Sequence, residues 1–213
     1  MSTLEEMLDS KIISIIRGVA SQGIVSAVEA LERGGVKFVE VTFKAGDEKA
    51  CADTLKSIEM LKKRFPDMHI GAGTVLTVAQ VKDAASAGAE YIISPNMNLD
   101  VIAKTKEFNL LSLPGAFSPT EIETAWEAGA DIVKIFPAET VGPKYFKAVR
   151  GPLSNVRLAA VGGVSTKNIR DFLDAGADAF GIGGNLVSAA RVKREAWQEI
   201  ENDAAAYIAS VKR

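Results

Sequence analysis

The chain has one cysteine, Cys51, and one histidine, His69, among 213 residues. A lone cysteine excludes an internal disulfide framework and fits a reducing, cytoplasmic setting. One imidazole cannot supply the ligands of the usual zinc sites, and no carboxylate-rich or cysteine-containing cluster stands in for it, so neither a metal nor another cofactor is expected. No sign of charge dominates: 25 basic and 27 acidic side chains leave a net charge of −2. Nucleic acid and anionic membranes are therefore not expected partners. Long apolar runs are also missing. The stretch after the acidic Met1–Ser10 segment is broken by Ser14 and Arg17, well short of a signal or spanning segment. With 7 prolines, 47% hydrophobic and 24% charged residues, the composition is neither disordered nor fibrous. The length suits one compact domain, 1–213, and no linker divides it.

What the chain does have is alternation. Eight apolar runs of strand length recur, at Lys11–Arg17, Val36–Thr42, Met68–Ala72, Tyr91–Ser94, Leu110–Leu113, Asp131–Phe136, Val156–Val161 and Ala179–Ile182. Between them lie helical periodicities at Ile24–Arg33, Cys51–Arg64, Thr77–Ala87, Leu99–Phe108, Pro119–Ala128 and Asn168–Ala175. Gly34-Gly35-Val36, Ala87-Gly88-Ala89, Ala128-Gly129-Ala130 and Ala175-Gly176-Ala177 each close a helix just before a strand. Glycine there ends a helix in the left-handed conformation. Eight strand–helix units of roughly 27 residues predict an α/β fold, a single-domain (β/α)8 TIM barrel rather than an open sheet. The first ten residues read as a short capping helix beneath it, and Glu195–Val211 as the last covering helix.

Active sites of such barrels lie at the carboxyl ends of the strands. Two charges stand inside strands: Lys134 between Val133 and Ile135, and Glu40 between Val39 and Val41. Period-two alternation turns the valines and Ile135 toward the helices, and Lys134 and Glu40 into the barrel. A buried charge must find a partner or shift its pKa. One reading is a structural ion pair. The other is chemical: a desolvated lysine exposes a neutral amine able to form a Schiff base, with Glu40 as general acid and base. Gly162-Gly163-Val164-Ser165 after strand 7 and Gly181-Ile182-Gly183-Gly184-Asn185 at strand 8 occupy the usual phosphate position of a barrel, although glycine pairs also make plain turns. Thr74 after strand 3 and Pro95 after strand 4 stand either near a ligand or in turns capping helices. Arg17, ending strand 1, pairs with phosphate or carboxylate, or forms a surface ion pair. His69, at the start of its strand, reads as structural.

In order and spacing, Glu40-Val-Thr, Gly71-Ala-Gly-Thr-Val-Leu76, Ile93-Ser-Pro95, Pro114-Gly115 with Pro119-Thr-Glu121, Lys134-Ile-Phe-Pro-Ala-Glu139 and Gly162-Gly163 resemble the 2-keto-3-deoxy-6-phosphogluconate (KDPG) and 4-hydroxy-2-oxoglutarate (KHG) aldolase family, over about Lys11 to Val187. The resemblance implies a class I aldolase, usually a homotrimer, that releases pyruvate from a phosphorylated 2-keto-3-deoxy sugar acid or from 4-hydroxy-2-oxoglutarate. It matches Lys134 to the Schiff-base lysine and Glu40 to the proton shuttle. Arg17, Thr74, Pro95 and Phe136 match residues lining the site, and Gly162, Gly163, Gly183 and Gly184 match the phosphate pocket.

Some positions depart from the gluconate pattern. Lys44-Ala45 stands where many members have Arg-Thr, and ammonium is not a bidentate partner for a carboxylate. Ala160-Val161 replaces Pro-Thr, removing a hydroxyl from the substrate site, and Asn185 stands where serine is frequent near the phosphate. Asn96, Val161 and Gly142-Pro143 are more like the phosphogalactonate branch, and Ala138-Glu139 more like the gluconate branch. Two other readings remain at this point. One is a phosphosugar isomerase or epimerase with Glu40 as base and Lys134 as its ion-pair partner; the other is a barrel that binds a phosphorylated metabolite without chemistry.

Overall fold

The structure, a computed structural model, describes residues 1–212. Its strands are β1 (Ile12–Ile16), β2 (Phe38–Thr42), β3 (His69–Gly73), β4 (Tyr91–Ile93), β5 (Leu111–Leu113), β6 (Gly115–Ala116), β7 (Val133–Ile135), β8 (Leu158–Val161) and β9 (Ala179–Ile182). The helices are α1 (Thr3–Ser10), α2 (Ser21–Arg33), α3 (Glu48–Arg64), α4 (Val78–Ser86), α5 (Leu99–Glu107), α6 (Pro119–Glu127), α7 (Ala138–Arg150), α8 (Ile169–Asp174), α9 (Ala189–Lys193) and α10 (Trp197–Val211). All strand pairs are parallel, in the order β5-β4-β3-β2-β1-β9-β8-β7-β6.

Pro114 explains why eight expected strands become nine. Lacking an N–H, it interrupts the ladder between β5, which pairs with β4, and β6, which pairs with β7. Its carbonyl still accepts the Lys134 N–H at 2.9 Å, and the Ser112 carbonyl accepts the Asp131 N–H at 2.9 Å. β5 and β6 are thus one bent stave, and eight staves close into a TIM barrel.

The alternation sorts the core into two layers. Val39, Val41, Val133 and Ile135 pack outward with Ile24, Leu31, Phe146 and Phe172 of the covering helices. Ile13, Ile15, Phe38, Tyr91, Ile93, Leu113, Ile132, Ala159 and Val161 fill the interior, and Met7 of α1 plugs the floor. The capping helix expected beneath the barrel is therefore present. It starts in a capping box, with the Ser2 hydroxyl accepting from the Glu5 N–H and the Glu5 carboxylate accepting from the Ser2 N–H. His69 also belongs to this floor. Its ring stacks on Phe38 at 4.4 Å, and Nδ1 lies 2.6 Å from Glu90 Oε2.

The αβ turns take the expected form, with Gly35, Gly88, Gly129 and Gly176 at φ of 87°, 94°, 97° and 100°. The expected helices do not include α7. Gly142, at φ 67° and ψ 174°, breaks its regular dihedrals, and Pro143 suits the first turn of the helical segment that follows.

Interior space is set by glycine on β3. A β-carbon at Gly71 would fall inside the Tyr91 ring, and one at Gly73 on the Glu40 carboxylate. Overpacking of a barrel interior is destabilising. We expect Gly71→Ala to cost about 1–3 kcal/mol in denaturant unfolding. Gly183→Ala, where nothing lies within 4 Å of an added β-carbon, should change stability little. Equal effects would contradict this packing.

Candidate active site

Glu40 and Lys134 come from β2 and β7, which stand on opposite sides of the barrel. Each occupies the middle of its strand, flanked by outward-facing apolar side chains. Glu40 is 1% and Lys134 5% exposed. Glu40 faces into the space above Gly73. Lys134 Nζ lies 4.7 Å from the centroid of the Phe136 ring, the next inward side chain along the chain.

Burial decides the protonation behaviour of both groups. It pushes the Glu40 carboxyl up, against the opposing pull of the Lys134 and Arg17 charges. It pushes the Lys134 amine down; Glu40 partly offsets this and Arg17 adds to it. Each group is thus biased toward its neutral form. Glu40 Oε2 is buried without a hydrogen-bond partner. A tight ion pair with Lys134 would satisfy that oxygen.

Two cavities open at the carboxyl ends of the strands, and Arg17 lines both. One, of about 670 Å³, is bordered by Lys134, Phe136, Val161, Gly162, Gly163, Gly183, Gly184 and Asn185. The other, of about 660 Å³, is bordered by Thr42, Lys44 and Thr74. Arg17 Nη2 donates to Thr74 Oγ1 at 3.4 Å, and Thr74 holds a left-handed φ of 56°. Lys44 stands apart from the amine and the carboxyl: it is exposed and paired with Asp47 at 2.9 Å. Pro95 borders neither cavity. Its carbonyl packs where a Gly115 side chain would otherwise point.

The glycine loops meet at the first cavity. Gly162 and Gly163 have φ of 95° and 73°, a conformation open to glycine at little cost. Asn185 is tied to the scaffold, its Nδ2 donating to the Val164 carbonyl at 3.1 Å. Of three further neighbours, Ser165 and Glu139 fall within motifs quoted from the sequence, and Ile15 does not. Ile15 and Ser165 line the same cavity, and Glu139 packs against Gly163. Alternation along β1 would have found Ile15, but Glu139 depends on how α7 meets the loop after β8. Among the described residues no group of three His, Cys, Asp or Glu could hold a metal ion. No described helix is long and apolar enough to cross a membrane.

Known proteins share this fold. The family model for KDPG and KHG aldolases matches residues 4–202. The chain belongs to that family. A 2-dehydro-3-deoxy-phosphogluconate aldolase from Haemophilus influenzae is 34% identical, over 92% of this chain and 91% of its own. A 2-dehydro-3-deoxy-6-phosphogalactonate aldolase from Escherichia coli is 35% identical, over 88% and 90%. The crystal structure of a KDPG aldolase from Legionella pneumophila, with pyruvate captured as a covalent carbinolamine, superposes with a TM-score of 0.87. It is 28% identical and covers 97% of this chain and 98% of its own.

The protein is thus an aldolase, a lyase acting on a carbon–carbon bond, on a TIM barrel. In this aldolase the carboxyl position depends on Gly73. Adding a methyl there, in Gly73→Ala, should displace Glu40 and lower kcat by about 10²-fold, the scale of a misplaced catalytic group. Lys134 lies across the barrel, so borohydride trapping of pyruvate should survive. Full activity of the folded variant would contradict the assignment of that space to Glu40.

Proposed function

We propose that this aldolase cleaves a phosphorylated 2-keto-3-deoxy sugar acid to pyruvate and glyceraldehyde 3-phosphate, and 4-hydroxy-2-oxoglutarate to pyruvate and glyoxylate, through a Schiff base on Lys134. The observation that carries this reading is one buried amine and one buried carboxyl facing each other inside a barrel that opens to an anion-friendly rim. The neutral amine of Lys134 attacks the substrate C2 ketone to give a carbinolamine. Loss of water gives the iminium. Glu40 takes the proton from the C4 hydroxyl, the C3–C4 bond breaks, and its electron pair passes into the iminium to form an enamine as the aldehyde leaves. A proton returned to C3 and the addition of water release pyruvate and the free lysine. Family membership favours this route over an isomerase or a non-catalytic binder.

Arg17 is the cation nearest both cavities and would bind the substrate's anionic end, with Thr74 steadying the guanidinium. In the phosphorylated reading the backbone of Gly162, Gly163, Gly183 and Gly184 receives the phosphate, because the Asn185 amide is engaged elsewhere. A second reading makes the 6-phosphogalactonate epimer the preferred substrate. It is favoured by the methyl groups of Val161, which present no hydroxyl to the cavity. We also propose a cytoplasmic homotrimer. The single cysteine fits that compartment, and the exposed rings of Phe108 and Phe117 are apolar surface an assembly would cover.

Borohydride reduction with pyruvate should add one pyruvyl group, mapped to Lys134 by peptide mass, and Lys134→Met should abolish both adduct and cleavage. Glu40→Gln should keep the adduct and slow cleavage about 10²–10⁴-fold. An adduct on another lysine, or wild-type turnover in Glu40→Gln, would reject these roles. Side-by-side cleavage of the gluconate, galactonate and oxoglutarate substrates decides the preference.

A further inference from the structure

Tyr91 is the largest fully buried side chain, and the mechanism above does not use it. It sits on β4 in the same row as Glu40. Glu40 pairs with Gly71 across β2 and β3, and Gly71 pairs with Tyr91 across β3 and β4. Because Gly71 has no side chain, the Tyr91 ring lies across it toward β2. The ring reaches Phe38, two residues before Glu40, at a centroid distance of 6.0 Å. Over adjacent inward positions of β3, the Tyr91 ring lies against Gly71 and the Glu40 carboxyl against Gly73, and neither Tyr91 Oη nor Glu40 Oε2 has a protein hydrogen-bond partner. Buried polar groups without partners are rare and costly, and paired orphans of this kind are commonly bridged by water.

We propose that Tyr91 is a positioning residue for Glu40, its hydroxyl holding the carboxylate through one bridging water and so setting where and when that group accepts a proton. The inference rests on Glu40 as the proton carrier. The chemistry suits the role. Burial, with the charges of Glu40 and Glu90, holds the phenol well above its ordinary range, so it stays protonated and acts as a donor. The other charged groups facing Glu40 are Lys134 from β7 and Arg17 at the end of β1. Glu90 faces Tyr91 from the turn before β4 and is itself held by Lys62 and His69. A hydroxyl donor favours the ionised carboxylate, so its removal should raise the pH at which Glu40 gains its proton.

The test uses pyruvate as the probe and follows exchange of its methyl protons for deuterium, a step that needs only Lys134 and the proton carrier. Tyr91→Phe keeps the ring and removes the hydroxyl. We expect the acid limb of the exchange profile to move up by about one pH unit, the effect of one hydrogen bond to a charged group. Exchange at the optimum should fall about 10-fold, with borohydride trapping on Lys134 unchanged. Tyr91→Met, which also lacks the donor, should move the limb the same way. In a Glu40→Gln background Tyr91→Phe should add no further loss, as coupled residues do. An unmoved limb in folded Tyr91→Phe would overturn the inference. If Glu40→Gln alone left exchange intact, the proton-carrier reading would fall first and this inference with it.

Discussion

A primary amine held out of water is the constraint on which the rest of the site depends. Lys134 stands among apolar neighbours inside a closed barrel, where an ammonium loses its hydration and gains little in return. On the proposed mechanism, the same exclusion of water that makes the charged form unfavourable makes the neutral amine available to a ketone. Glu40 across the barrel works against this by favouring the ammonium, and is itself pushed toward its protonated form. Burial thus biases each group toward its neutral form, and the charge of each opposes that bias in the other. Both shifts would be lost if either side chain reached solvent.

The fold closes that interior from below and opens it above. α1 closes the floor with Met7, while Phe38 and Tyr91 fill the layer over it. Because every strand runs the same way, the loops at their carboxyl ends gather on one rim. There Arg17, Thr74 and the glycine loops after β8 and β9 surround the entrance to Lys134. On β3 the glycines act through the side chains they lack, since Gly71 and Gly73 surrender interior volume to the Tyr91 ring and the Glu40 carboxyl. Catalysis and packing thus compete for the same few positions.

Period-two alternation made much of this readable in the sequence. It turned Lys134 and Glu40 inward because their neighbours Val133, Ile135, Val39 and Val41 need the helix-facing layer. The αβ turns were legible because each requires a residue at positive φ. The bend at Pro114 was not, since a proline inside an apolar run shows where a ladder bond is lost but not that two neighbouring strands will share the pieces. α7 was hidden by Gly142-Pro143 for a similar local reason. Side-chain environments at the rim lay further out of reach. Lys44 is held by Asp47 and Asn185 by the Val164 carbonyl, partners that only the folded chain defines. The same holds for Tyr91, whose inward direction follows from alternation but whose approach to Glu40 depends on cross-strand register.

Direct titration of the Lys134 side chain by NMR, with the lysine isotopically labelled and assigned through its loss in Lys134→Met, tests the central claim most directly. In the ligand-free aldolase the midpoint should lie below that of a solvated lysine. In Glu40→Gln it should fall further, because the carboxylate that favours the ammonium is gone. A midpoint in the ordinary lysine range, unmoved by Glu40→Gln, would contradict the account.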